Sequence, residues 1–253
     1  MSGIVHLVGA GPGAPDLLSV RAARLLGEAD IVFHDALVPE AILALAGKAQ
    51  KIAVGKRCGR HSTAQRFINK RLADAARRYP VVVRLKGGDP MLFGRAHEEI
   101  AFLTSRGIPV QVVPGITAAS AASAELGVSL TRRGVSRSVV FATPRAGDGE
   151  APSHWARAVA AADTAVLYMA AHDAASVVQA LLGAGVPGRR PVAVVANAAL
   201  PGRVIAGGRL SDLPRLVAAV TGQPTLILLG DVFAATQALA GEALTPRTAS
   251  QSA

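Results

Sequence analysis

A chain of 253 residues with 51% hydrophobic and 17% charged side chains has material for a large buried core and too little charge for a disordered chain. No run reaches the roughly 18 uninterrupted apolar residues of a membrane span, and no leader of Lys/Arg followed by an apolar stretch opens the chain, so a cytoplasmic protein without a membrane partner is expected. The single cysteine, Cys58, excludes an internal disulfide and a Cys-rich metal site, and the net charge of +10 requires an anionic partner or reflects a basic composition.

In chain order, the first element is a strand near Val5–Val8 that ends in "GAGPGAPDLLS" (9–19). Gly9, Gly11 and Ala14 satisfy a relaxed dinucleotide fingerprint, and Asp35 follows at about the fingerprint's distance. Yet Pro12 and Pro15 interrupt the path, and the first amphipathic helix, near Val20–Gly27, starts only after Ser19, a residue suited to cap it. A dinucleotide site needs its helix to start among the glycines, with amides facing the pyrophosphate, so both readings of the loop stay open here. Strands near Ile31–His34, Lys51–Val54, Val81–Leu85 and Val110–Val113 alternate with helices near Thr63–Arg78, Gly94–Ser105 and Ala118–Glu125. Continuous apolar strands separated by helices give a mostly parallel sheet covered on both faces.

After "GVSLTRRG" (127–134) the strands are near Ser138–Thr143, Thr164–Met169, Pro191–Ala196, Arg203–Ala206 and Thr225–Leu229. Helices fall near Trp155–Ala161, Ala174–Leu182 and Leu213–Val220. "LPGRVIAGGRLSDL" (200–213) has the character of a returning strand, which implies a mixed sheet. The reading is an α/β protein of two domains: residues 1–115 with a mostly parallel sheet, residues 116–240 with a mixed one, and a tail, 241–253, without apolar periodicity.

Four stretches carry chemistry. "RLKGGDPMLFGR" (84–95) runs from a strand into Gly87-Gly88-Asp89-Pro90, where two glycines let a ligand approach the main chain and Asp89 with Pro90 shapes a turn. Arg95 and Glu98, three apart on a predicted helix whose apolar face is Ala96, Ile100 and Leu103, project together away from that face. "VVPGITAA" (112–119) is another strand-turn-helix, with Thr117 able to cap. "GKRCGRHS" (55–62) gathers Lys56, Arg57, Arg60 and His61, and Arg132 and Arg133 add two more cations. A surface ion pair and solvated basic loops are the plain alternatives. The chain holds no P-loop, no G-x-S-x-G and no paired Cys/His, so nothing in it points to triphosphate, serine-hydrolase or metal chemistry.

Taken together, "LVGAGPGAPDLLS", "GKRCGRHS", "RLKGGDPMLFGR", "VVPGITAA", "LTRRG", "LYM" and "NAALPG" occur in the order and spacing of the tetrapyrrole methylases, over about residues 4–233. Within that family the chain most resembles the uroporphyrinogen-III C-methyltransferases. The resemblance implies two α/β domains of the class III methyltransferase type with the active-site cleft between them, a homodimer, and S-adenosylmethionine as methyl donor, released as S-adenosylhomocysteine. It implies cofactor contacts at Pro12, Gly87, Gly88, Asp89, Leu92, Thr117, Ala118, Met169, Ala198 and Thr225. Arg95 would hold the substrate and assist proton removal, and Glu98 would orient it or act as base; Asp35 would face the pyrrole nitrogens, and Arg57, His61 and Arg133 would bind carboxylates. The implied reaction methylates C2 and C7 of uroporphyrinogen III, giving precorrin-2 by way of precorrin-1, for sirohaem, cobalamin or haem d1. An electron-rich pyrrole carbon attacks a sulfonium methyl unaided, so alignment and water exclusion suffice, and a polycarboxylate substrate suits an arginine excess.

The chain departs from the family's frequent residues at His34, Ala36, Arg132, the "TPR" of 143–145, and Ala96-His97, where two small residues are frequent. Since no further domain accompanies this chain, the methylated product is its expected end point. A later corrin-route methylase is the near alternative, and same-fold enzymes acting on ribosomal RNA or diphthine precursors are more distant. An NAD(P) oxidoreductase would depend on Gly9 and Gly11, and a basic nucleic-acid-binding module would show affinity that falls steeply with salt.

Overall fold

In the computed structural model, which describes residues 2–55, 65–147, 149, 151 and 153–239, β1 (Ile4–Gly9) ends where the glycines begin. A 3-10 turn at Pro15–Leu17 intervenes, and α1 (Val20–Glu28) starts only after Ser19, whose hydroxyl accepts the amide of Ala22 at 3.2 Å. No helix opens inside the glycine loop, so the geometry that a pyrophosphate needs is not formed there.

Two compact units meet in sequence between Ala118 and Ala119. The first continues with β2 (Ile31–His34), a short α2 (Glu40–Leu43), β3 (Gln50–Ala53), α3 (Gln65–Ala76), β4 (Val81–Lys86), α4 (Ala96–Thr104) and β5 (Val110–Val113). Its five strands are all parallel, in the order β3-β2-β4-β1-β5. Alternation along the strands sends Val8, Val32, Val83 and Leu85 towards α1 and α2, and Val5, Leu7, Ile31, Phe33 and Val82 towards α3 and α4. Both faces are thus buried, which is why the strands read as continuous apolar runs.

The second unit contains α5 (Ala118–Leu126, from its second residue on), β6 (Val139–Ala142), α6 (Trp155–Ala161), β7 (Thr164–Leu167), α7 (Ala174–Gly183), β8 (Pro191–Ala196), β9 (Val204–Arg209), α8 (Leu213–Ala218) and β10 (Thr225–Gly230). The sheet order is β6-β7-β10-β8-β9. β6 and β7 are parallel, whereas β10 inserts antiparallel to both β7 and β8, and β9 returns antiparallel to β8. α6, α7 and α8 close one face over Leu167, Val192, Val194, Ile227 and Leu229.

Several boundaries differ from the sequence reading for local reasons. β7 stops at Leu167 rather than at residue 169, because Met169 adopts φ 55°, which an extended strand cannot hold. α4 begins at Ala96, two residues past the expected start, because Arg95 stands at its N-cap with φ 56°. α2 has no counterpart in the sequence reading; four residues are too few to show periodicity.

Candidate active site

In an open parallel sheet, ligands bind beyond the carboxyl ends of the strands, where neighbouring connections leave in opposite directions. Here that point lies between β1 and β4. The chain leaves β1 through α1 towards β2, and leaves β4 through α4, on the opposite face, towards β5. The loops that follow β1, β4 and β5 are bonded to one another at this edge. Gly11 and Gly88 exchange both backbone hydrogen bonds, Gly88 N to Gly11 O at 2.7 Å and Gly11 N to Gly88 O at 3.2 Å. A Cβ on Gly9 would lie 2.6 Å from both the Cα and the nitrogen of Gly115 and 2.7 Å from the Gly88 carbonyl oxygen, so only glycine allows the three loops to close.

Asp89 fastens the same junction. Its Oδ1 accepts the Met91 amide at 2.8 Å, fixing the turn, and its Oδ2 accepts the Gly115 amide at 2.9 Å, joining the loop after β4 to the loop after β5. Pro12, Gly88, Leu92, Thr117 and Ala118 are partly exposed around this junction, and Gly87 is exposed. A Cβ on Gly88 would meet nothing within 4 Å, so the main chain there is open to a ligand.

Beyond the turn, Phe93 and Arg95 are both left-handed, with φ 53° and 56°. Glu98 holds Arg95 by a parallel pair of bonds, Nε to Oε1 at 2.7 Å and Nη2 to Oε2 at 2.8 Å. Arg95 therefore precedes the helix that the sequence had placed it on, while the pairing with Glu98 stands. The guanidinium bonds hold the Glu98 carboxyl below the usual carboxylate range, which makes it a poor proton acceptor at neutral pH.

Sequence reasoning missed the charges beneath this rim. Arg84 and Lys86 point from β4 to the α4 side of the sheet and are buried, as is Glu99, which is wholly inaccessible. Glu99 Oε1 accepts Arg84 Nε at 3.1 Å and Gln65 Nε2 at 3.0 Å, and Lys86 Nζ reaches both of its oxygens at 3.2 and 3.1 Å. Arg84 Nη2 donates to Oδ1 of Asp35, at the end of β2. Burial, and then the neighbouring Arg84, push the Lys86 pKa down; Glu99 and Asp35 oppose them. The available signal was "VVVRLK" itself: two cations alternating inside a strand that is covered on both faces must meet carboxylates.

In the second unit, the ends of β7 and β8 and the start of β10 share one edge, because Thr225 pairs with Ala196 and Ile227 with Leu167. Met169, Ala198 and Thr225 lie there. Asn197 and Ala199 flank Ala198 with φ 52° and 58°. Two further residues that the sequence reading missed support them: Gln223 accepts Asn197 Nδ2 at 2.6 Å, and Glu125 Oε1 accepts the Ala199 amide at 3.0 Å while pairing with Arg203 at 3.2 Å. Arg133 is exposed in a turn closed by Arg132 and Ser136. Of the departures, His34 Nδ1 lies 3.1 Å from the Asp35 carbonyl oxygen, and His97 is exposed. Arg57 and His61 lie outside the described residues. Among those residues no three His, Cys, Asp or Glu side chains come together, and no helix is long and apolar enough to cross a membrane.

The chain is similar to known proteins along most of its length. The family model described as Tetrapyrrole (Corrin/Porphyrin) Methylases matches residues 5–214. A siroheme synthase of Pseudomonas fluorescens (strain Pf0-1) is 44% identical over 241 residues, 94% of this chain but 52% of that protein. The chain thus spans about half the length of the curated relatives it matches. A uroporphyrin-III C-methyltransferase from Thermus thermophilus, solved with S-adenyl homocysteine, is 39% identical with a TM-score of 0.79 and covers 92% of this chain and 100% of that one. A cobalt precorrin-4 methyltransferase reaches the same TM-score of 0.79 at 27% identity, covering 91% and 95%. Equal backbone likeness at unequal identity means that the fold is common to enzymes with different substrates. With the glycine-tied strand-end loops, the family match over residues 5–214 and the whole-length structural likeness, the chain belongs to the tetrapyrrole methylases.

Proposed function

We propose that the protein transfers methyl groups from S-adenosylmethionine to C2 and then C7 of uroporphyrinogen III, forming precorrin-2 through precorrin-1. The observation that carries this reading is the rim of the first unit: a main-chain cradle at Gly87–Gly88, open to a ligand, with the Arg95–Glu98 pair a few residues beyond it. Uroporphyrinogen III is preferred over a later corrin-route substrate on the higher identity to the Thermus enzymes, 38–39% against 27%.

The donor supplies an activated methyl group. Pro12, Gly87, Gly88, Asp89, Leu92, Thr117 and Ala118 of the first unit, and Met169, Ala198 and Thr225 of the second, are its proposed contacts. Asp89 would make its contact through the main chain, since both carboxylate oxygens hold backbone amides and fix the loops. Arg95 binds a substrate carboxylate, and its help in proton removal is electrostatic, since a guanidinium accepts no proton. Glu98 is assigned to orienting Arg95 rather than to the role of base, a choice supported by the engagement of both its oxygens. Asp35, Arg133, Arg57 and His61 complete the proposed recognition of a polycarboxylate bearing N–H donors, in a cytoplasmic homodimer.

The test supplies enzymatically generated uroporphyrinogen III and S-adenosylmethionine and follows the fluorescent dimethylated product, beside calorimetry with S-adenosylhomocysteine. Product formation with tight S-adenosylhomocysteine binding is expected. Binding without turnover on uroporphyrinogen III would move the chain to another substrate of the family, and absence of binding would overturn the reading altogether.

A further inference from the structure

The charges of β4 are buried, and a structural role alone does not explain their cost. Carrying an Arg, a Lys and a Glu into a sheet interior is repaid only by complete pairing, and apolar residues of similar volume would do as well or better for stability. The cluster also reaches the rim at two points. One is Asp35, which is about a quarter exposed and has one oxygen clamped by Arg84. The other is Gly94, next to Arg95, where a Cβ would lie 3.2 Å from Lys86 Cε, so the lysine stem runs directly beneath that turn.

The bonding runs in one direction. Glu99 anchors the set from α4, receiving Arg84, Lys86 and Gln65. The Arg84 guanidinium is fixed by Nε on Glu99 and by Nη1 on the Leu85 carbonyl oxygen at 3.1 Å, and this leaves Nη2 aimed at Asp35. Asp35 Oδ2 has no hydrogen bond among the described residues, while its partner oxygen is held. Two cations and two carboxylates balance, and Asp35 is the only member of the four that is not buried.

We propose that Arg84, Glu99 and Lys86 are positioning residues for Asp35: they fix its carboxylate in one orientation at the strand end, so that its free oxygen accepts N–H donors of the substrate. This rests on the reading of the protein as a methylase of a pyrrole-bearing substrate. Without the clamp, Asp35 would have to give up rotamer freedom on each binding event, and affinity would fall.

The test compares Asp35→Asn, Arg84→Lys and the double variant, measuring KM and kcat for uroporphyrinogen III and S-adenosylhomocysteine affinity by calorimetry. Arg84→Lys keeps the charge but cannot bridge Glu99 to Asp35. Each single variant is expected to raise KM on the order of tenfold or more, as for a lost hydrogen bond to a charged group, while S-adenosylhomocysteine affinity stays within about twofold. Because Arg84 acts through Asp35, the double variant should be no worse than Asp35→Asn alone. Should Arg84→Lys fail to fold, Glu99→Gln, isosteric and still an acceptor, takes its place in the same cycle. Additive effects, or an Arg84→Lys enzyme with unchanged KM, would overturn the positioning role while leaving the methylase reading intact. A parent chain that binds S-adenosylhomocysteine but never turns over a tetrapyrrole would instead remove the reading on which the role rests.

Discussion

The two units build their rims from different materials. The first uses glycines and charge: Gly9, Gly88 and Gly115 let three loops interlock, and below them a balanced set of buried ions ties β4 to α4 and to Asp35. The second rests on a partly buried pair, Glu125 with Arg203, in place of a largely buried set. Its rim residues Met169, Asn197 and Ala199 are non-glycine residues in the left-handed region, as Phe93 and Arg95 are at the first, with Gln223 holding Asn197 and Glu125 the Ala199 amide. Strain of this kind costs on the order of 1–3 kcal/mol per residue and persists where the surroundings over-determine it, which is typical of ligand-shaping loops. On the proposed function, charge recognition falls to the first unit, and the second contributes strained loops.

The largest effect should follow from removing charge at the first rim. Arg95→Ala is expected to lower kcat by about a hundredfold or more while S-adenosylhomocysteine affinity stays nearly unchanged. Arg95→Asn, which tolerates the left-handed backbone better than Ala, separates lost charge from strain and should be equally inactive. Near-normal turnover in either variant would remove the role given to Arg95.

Next comes the glycine interlock. In Gly9→Ala the added methyl meets only backbone, at 2.6–2.7 Å, and backbone cannot swing aside. A loss of about 1–3 kcal/mol in urea unfolding is expected, with weakened S-adenosylhomocysteine binding. A stable Gly9→Ala protein with full affinity would show that the loops close without the interlock.

Acid should also separate the units. His6, buried in β1 with Nδ1 lacking a hydrogen-bond partner among the described residues, has its pKa lowered by burial, with Glu28 opposing. The unfolded chain therefore takes up a proton near the ordinary value of 6.5 while the folded one does not, so stability is complete above that pH and falls as pH drops below it. In the second unit, Asp163 has its pKa lowered by hydrogen bonds from Arg137 N and the Ser138 hydroxyl and amide, and its contribution is lost only as pH falls below about the ordinary carboxylate value of 3.8. Urea unfolding at pH 7.5 and 5.5 should differ by at most about 1.4 kcal/mol per pH unit from His6, and His6→Gln should flatten the difference. An unchanged slope in that variant would place the acid sensitivity elsewhere.

How much of this was legible in the sequence follows from the range of each interaction. Local signals were readable: Ser19 capping α1, the two prolines delaying it, and the apolar runs of a two-faced parallel sheet all act within a few residues. The Arg95–Glu98 pair was legible for the same reason. Glu99 was not, because its partners Arg84 and Lys86 are brought to it by the packing of α4 on β4, and beside Glu98 it looks like one more exposed acid. The left-handed state of Met169 was equally hidden, since nothing in "LYM" demands a positive φ and the surrounding fold imposes it.

The smallest effect is the sharpest probe of the second rim. Met169 is nearly half exposed, so replacing it with Gly removes little buried surface. Relief of a left-handed residue returns about 1–2 kcal/mol, and the greater freedom of glycine in the unfolded chain takes back about 0.5–1. Met169→Gly should therefore unfold at the same temperature or slightly higher, while losing several-fold in S-adenosylhomocysteine affinity. Stability and affinity then move in opposite directions, which is what strain held for a ligand predicts. If both fell together, Met169 would be a packing residue, and the second rim would owe its left-handed backbone to the fold alone.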